Sequence, residues 1–439
     1  MNKRLVVGIA FVMLATLFTG GAPSAGAVTP GTNVLYTSDA DFDQGVLADV
    51  NHDAPNSDQL QLSKSTTFFP FVNIALSGRD SMARIDVNTG AVVGEYRTAP
   101  SGMAGNPSRT TVDRLGNVWV ANRNESSGGR GSITRVGVLT GGTRAAADGT
   151  PDPTGGYFKG PFAYNTCVDR NNDSLIRTSM GLFDALPWTN AGAVDSDGGV
   201  DTAEDECIIN YTRVAGTLTR TVAVDANNDV WVGGFGNLVH EKLDGITGEP
   251  VAGTQIDFDC GGYGGLIDQN GILWSARGGR GLLRYDPATD VGVCLSGRGD
   301  YGLGLDPNTN EVWHTNVSIS RVNQLDQLGG LLNFYGHGNT FAQGVAVDKV
   351  GNVWVAHSIL GPQTTVGHLR TDGTYVGNIN LPGGAGPTGV AVDANGKVWV
   401  ANLNTNNAMR IDPNAGPIGG GGIPVGAVDL VVDLGQGSS

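Results

Sequence analysis

The chain has 439 residues, 69 of them glycine, only 16% charged residues and a formal net charge of −15. An acidic balance of this size repels nucleic acid and anionic membrane surfaces, so neither is an expected partner. So much glycine suits short strands joined by tight turns and argues against a helical bundle.

At the N-terminus, Lys3 and Arg4 precede an apolar run from Leu5 to Phe18, and Ala25-Gly26-Ala27 follows as a small-residue cleavage signature. This is the pattern of a secretory signal peptide, so residues 1–27 are expected to be removed after Ala27 and the mature chain to be extracellular. No later stretch approaches ~18 uninterrupted apolar residues, so no membrane-spanning helix is expected. Residues 28–66 form an N-terminal segment in which GVLADV (45–50) or DQLQLS (58–63) is a candidate strand for closing a ring of repeats.

From residue 67 to 435 the chain repeats itself. TTVDRLGNVWVAN, VAVDANNDVWVGG, GLIDQNGILWSAR, LGLDPNTNEVWHT, VAVDKVGNVWVAH and VAVDANGKVWVAN share one design. An apolar alternation ends in Asp, a polar turn follows, and a second apolar run carries Trp. Trp119, Trp231, Trp274, Trp313, Trp354 and Trp399 hold that place, six of the seven tryptophans. Two weaker copies place Asn73 and Leu175 there. A period of about 40–45 residues with four short strands per unit predicts an all-β fold, a β-propeller of seven or eight four-stranded blades. The count depends on whether the region around Leu175 makes a blade. The Trp is expected to pack between blades, and the Asp to cap the turn by accepting its backbone N–H groups.

The region from about 140 to 215 departs from the repeat. It holds Asp169, Asn171 and Asp173 in a D-x-N-x-D run, then Asp195, Asp197, Asp201 and Glu206 at the first, third, seventh and twelfth places of a second acidic run. Alternating hard oxygens with a distal Glu suit calcium, the candidate cofactor; a solvated acidic loop is the alternative. Position 5 of the second run is Gly199, and Val200 stands where a calcium loop has glycine. Four cysteines allow three pairings, and their order suggests two local clips, Cys167–Cys207 and Cys260–Cys294. The six histidines come from different units without metal-ligand spacing and read as unconnected surface or rim groups.

GVAVDANGKVWVANLNTNNAMRIDP (389–413) resembles NHL-type repeats, in particular those of streptogramin B lyase-like propellers, and the similarity runs from about 72 to 413. The resemblance implies catalytic histidines eleven residues before the repeat Trp. Here those places hold Ser108, Arg220, Tyr263, Gly302, Gln343 and Thr388. None titrates near neutrality as proton abstraction requires, so a binding scaffold is expected, with a lyase or lactonase-type enzyme as the alternative. Arg220, Tyr263, Gln343 and Thr388, joined by Arg109, are expected at the mouth of an axial pocket that takes a small molecule, a glycan or a protein. The alternative is that they plug the channel by bonding one another. A monomer is expected.

Overall fold

The computed structural model describes 50–51, 61–62 and 69–435, apart from 104, 126–129, 190–203, 279–280, 298–300, 318–319 and 358–363. Two compact units divide the chain, Met1–Thr67 and Phe68–Ser439. In the first, Val50–Asn51 pairs antiparallel with Gln61–Leu62. The other residues proposed for ring closure lie outside the described ones.

The second unit is a β-propeller. Six four-stranded antiparallel sheets, blades 2 to 7 in chain order, follow the repeats, and the strands of each run outward in sequence order, with an insert ahead of the outer strand in blade 2. Their inner strands are Pro107–Val112, Thr219–Val224, Gly265–Ile267, Leu303–Leu305, Val345–Val347 and Pro387–Val392. A seventh sheet, blade 1, has three strands among the described residues: Phe71–Leu76, Ser81–Asp86 and Val92–Arg97.

Seven apolar clusters close the ring. In each of six, a repeat Trp reaches the next blade; Trp119 meets Val222, Val230 and Val232 of blade 3, and Trp354 meets Val398 and Val400 of blade 7. The cluster of Trp399 with Leu76, Ala83 and Ile85 joins blade 7 to blade 1. The contact between blades 1 and 2 instead uses Met82 and Tyr96 against Val118 and Val120. Asn73 pairs with Arg84 in the register by which Trp399 pairs with Arg410, so Phe71–Leu76 is a second strand by position. Arg84, opposite Asn73, is buried. Its Nε donates to Asn73 Oδ1 at 3.1 Å, its Nη1 to the Gly137 carbonyl at 2.6 Å, and its guanidinium lies 5.2 Å from the Tyr96 ring centroid.

The spacing of six from Asp to Trp, kept in five of the six Trp repeats and lengthened to seven before Trp313, has a direct cause. Asp268 Oδ1 accepts the Asn270 and Ile272 N–H groups, while Oδ2 accepts Trp274 Nε1 at 2.9 Å. Asp113, Asp348 and Asp393 hold Trp119, Trp354 and Trp399 in the same way. One carboxylate therefore closes the turn and anchors the indole, satisfying a buried donor that would otherwise be costly. Gly116, Gly271, Gly351 and Gly396 end these turns at φ between 75° and 83°, where a side chain is strained.

The copy marked by Leu175 is not a blade. Leu139–Ala145, Tyr157–Asn165 and Leu175–Arg177 form a separate three-stranded sheet, inserted between the third and outer strands of blade 2. That outer strand is Ile208–Thr217, so the insert ends earlier than residue 215. The false copy arises because Asp169 caps a turn as the repeat Asp does, accepting Asp173 and Ser174 N–H groups, but no inner strand precedes it. Both disulfides are local, Cys167–Cys207 and Cys260–Cys294. No helix among the described residues is long and apolar enough to cross a membrane.

Candidate functional site

Each inner strand enters its blade at the same end, and the residue eleven places before the Trp, twelve in the blade of Trp313, stands at that entrance. This shared register brings together side chains separated by up to hundreds of residues. Arg109, Arg220, Tyr263, Gln343 and Thr388 all line one cavity of about 700 Å³ along the ring axis. The cavity also takes in Arg123 and Tyr301, which the sequence reading omitted. Tyr301 itself holds the entrance position of its blade: Trp313 pairs with Gly304 as Trp274 pairs with Leu266, and an extra residue between Asp306 and Trp313 moves the entrance from eleven places before the Trp to twelve. Gly302, named from the spacing of eleven, lies one residue further along, where a Cβ would come within 2.1 Å of the Gln343 carbonyl oxygen. Arg123 enters from the end of a second strand, where the repeat pattern marks nothing.

Tyr263 is the centre of the polar wall. Arg220 Nη1 donates to its hydroxyl at 2.7 Å, with the guanidinium 4.4 Å from the ring centroid. Arg109 lies 5.4 Å from the Tyr263 centroid and 5.0 Å from that of Tyr301, and the two tyrosine rings are 4.7 Å apart. Phe235 meets Tyr263 edge-on at 5.1 Å. Arg123 Nε donates to the Asn106 carbonyl at 3.1 Å. Thr388 Oγ1 donates to the Ala401 carbonyl at 3.4 Å, and the Gln343 N–H to the Ala356 carbonyl.

The electrostatics are one-sided. Three arginines line the cavity, and the described lining contains no Asp or Glu. Burial lowers the pKa of Arg220 and Arg123, and neighbouring arginines lower them further. Burial and the nearby Tyr301 push Tyr263 up to about 12, so it stays neutral. Arg109 Nε and Nη2 and Arg220 Nε are buried without a hydrogen-bond partner. Buried donors of this kind carry a desolvation cost that an acceptor would remove.

The acidic insert is placed in part. Asp169, Asn171 and Asp173 accept backbone N–H groups of their own loop. Glu206 accepts the Arg170 and Arg177 N–H groups at 2.9 and 2.8 Å. Burial raises the Glu206 pKa, and Asp169 and Asp173 add to the rise. Asp195, Asp197 and Asp201 lie outside the described residues. Among those described, no three His, Cys, Asp or Glu side chains gather in a metal-holding group.

The five histidines among the described residues are not surface groups; His52 lies outside them. His240, His314, His337, His357 and His368 are all buried, and the His337 and His357 rings lie 5.0 Å apart. His240, His314 and His368 lie on strands, while His337 and His357 just follow strand ends; burial holds His240 at about 4 and His357 at about 3. None lines the axial cavity.

No protein-family model matches the chain, and no curated protein matches it. Among solved structures, it is similar to a functionally unknown protein from Desulfotomaculum acetoxidans, at 12% identity and a TM-score of 0.52, over 83% of this chain and 99% of that one. A catalytically inactive virginiamycin B lyase from Staphylococcus aureus with quinupristin matches at 14% identity and a TM-score of 0.45, over 81% and 88% of the chains. A streptogramin B lyase matches at 16% identity and a TM-score of 0.40, over 47% and 69%. At these identities the likeness is one of fold.

Proposed function

We propose that this is a secreted binding protein whose axial cavity captures a small anionic ligand, a carboxylate-bearing molecule in particular. The observation that carries this reading is the set of buried guanidinium nitrogens without partners, in a lining free of Asp and Glu. Arginine pairs bidentately with carboxylate, and Tyr263 and Tyr301 offer flat faces beside it. The chain as a whole is strongly acidic, so a local concentration of cations marks a region lined to attract anions. Calorimetric titration of the full chain with acetate, citrate and glucuronate, and with glucose as a neutral control, tests it. Binding is expected for the acids and to weaken roughly tenfold to a hundredfold in Arg220→Ala, the loss typical of a charge-assisted hydrogen bond. Equal affinity for glucose and glucuronate, or no effect of Arg220→Ala, would sink the reading.

Binding is favoured over lyase chemistry because proton abstraction needs a group poised near the working pH. The described lining has no His, Asp, Glu, Lys or Cys, and its Tyr263 is raised to about 12. Incubation with quinupristin is expected to leave the ring closed; robust linearisation by the purified chain would favour the enzyme.

For the insert we propose calcium, supported by Asp169 and Asp173 acting together on the Glu206 carboxylate. Millimolar calcium is expected to raise the melting temperature relative to chelator, because an ion bound only by the folded state shifts unfolding by mass action. An unchanged melting temperature removes the ion from the account.

A further inference from the structure

Two arginines of the blades show how this chain holds a carboxylate. Arg79 donates from Nε and Nη2 to the two carboxylate oxygens of Glu95, and Arg410 does the same to Asp429. In Arg109 that same Nε–Nη2 edge is buried and has no hydrogen-bond partner, and Arg220 Nε is likewise unpaired. With Arg123 these residues line one cavity, and among the described residues no carboxylate pairs with any of the three. Their anchors are neutral and separate. Arg220 donates to the Tyr263 hydroxyl, Arg123 donates to Asn106, and Arg109 lies 5.0 Å from the centre of the Tyr301 ring. Arg109 and Arg220 stand 5.4 and 4.4 Å from the Tyr263 centroid, so their charges are no farther apart than the sum of those distances. That lies inside one Debye length, about 10 Å at 0.1 M salt, and like charges so close and half out of water repel with little screening.

We infer that the ligand is a small di- or tricarboxylate, with one carboxylate on the open edge of Arg109 and a second on Arg220. This rests on the anion-binding reading and adds to it the number and spacing of the ligand's charges. A single carboxylate compensates one guanidinium and leaves the others facing each other. The separate anchors hold the guanidinium groups at separate places on the wall, so carboxylates spaced along one molecule meet them better than one compact oxyanion. Each pairing is bidentate and charge-assisted, the strong form of hydrogen bond. A cavity of about 700 Å³ has room for a molecule carrying several such groups. Burial lowers Arg123 and Arg220, and neighbouring arginines lower them further, so each negative charge that enters also relieves repulsion already present.

The test titrates the full chain calorimetrically with three molecules of nearly equal shape: succinate, its half-amide succinamate and the neutral succinamide, at about pH 8 where every carboxyl is ionised. Tricarballylate extends the series to a third carboxylate, and glycerol 3-phosphate supplies a compact dianion. Succinate is expected to bind about tenfold to a hundredfold more tightly than succinamate, the worth of a second charge-assisted pair. Arg109→Gln keeps a polar side chain but removes the charge and the fork. It should bring succinate down to the level of succinamate and leave succinamate nearly unchanged. If that variant does not fold, salt gives the same answer on the parent chain: a tenfold rise should weaken succinate more than succinamate. Tricarballylate matching or exceeding succinate supports the inference and brings Arg123 into the site; weaker binding supports it with two carboxylates as the limit. Succinate and succinamate binding equally, both through Arg220, overturn the inference and leave the anion reading standing. Glycerol 3-phosphate binding more tightly than succinate also overturns it, in favour of a compact oxyanion. If none of the anions binds, both readings fall.

Discussion

Arg220 and Tyr263, 43 residues apart in sequence, form a single unit in which the guanidinium donates to the hydroxyl at 2.7 Å while lying 4.4 Å from the centre of the same ring. The hydroxyl aims the arginine, and the ring face offsets part of the cost of holding a cation away from water. Tyr263→Phe removes only the acceptor. Anion affinity is expected to drop by about threefold to tenfold, the worth of one ordinary hydrogen bond, with the ring contact preserved. Tyr263→Ala should cost clearly more, since it also removes the stacking surface of Arg109; titration calorimetry of the two variants separates the contributions.

The Asp–Trp anchor makes a stability prediction. Asp268→Ala strips the acceptor from two backbone N–H groups and from the buried Trp274 Nε1. A loss of about 2–4 kcal/mol is expected in urea unfolding, the range for buried donors left unpaired. A loss under ~0.5 kcal/mol would show that the turn and the indole are held by packing alone.

The disulfide Cys260–Cys294 closes a loop with a sequence separation of 34. Replacing both cysteines by alanine is expected to cost roughly 3–4 kcal/mol by the chain-entropy relation. The check is denaturant unfolding of the double variant beside the parent. The axial cavity should keep its affinity, because neither cysteine lines it.

Acid should expose the buried histidines. His240 is lowered to about 4 by burial, and His357 to about 3 by burial and then by His337. The unfolded chain takes up these protons near the ordinary value of about 6.5. The stabilising contribution is therefore complete above about pH 6.5 and is lost progressively as pH falls toward the folded values, on the order of 3 kcal/mol per histidine by pH 4. Asp205, Glu206 and Glu241 are raised by burial and work in the opposite sense, so the total is not the informative quantity. The stability difference between the parent and His357→Gln should shrink as pH falls from 6.5. A constant difference across that range would show that His357 does not resist protonation in the folded chain.

By itself, the sequence determined the elements that depend on local chemistry. An Asp six residues before a Trp closes its turn and bonds its indole within one hairpin, so the spacing is readable wherever it recurs. The register from Trp to strand entrance is equally local, which is why Arg109, Arg220, Tyr263, Gln343 and Thr388 could be named together before any fold was known. Tertiary structure decided what depends on neighbouring blades. The turn at Asp169 uses the capping chemistry of a blade yet belongs to an insert, because pairing with Tyr157–Asn165 is a long-range choice. Tyr301 joins the site because the turn before Trp313 is one residue longer than in the other repeats, a shift that only the strand pairing reveals. His240, His314 and His368 are buried on strands of packed blades, and Trp399 borders the cavity at the contact of blades 7 and 1. Hydrogen-bonded turns repeat along the chain, whereas a cavity is the space between strands that only packing brings together.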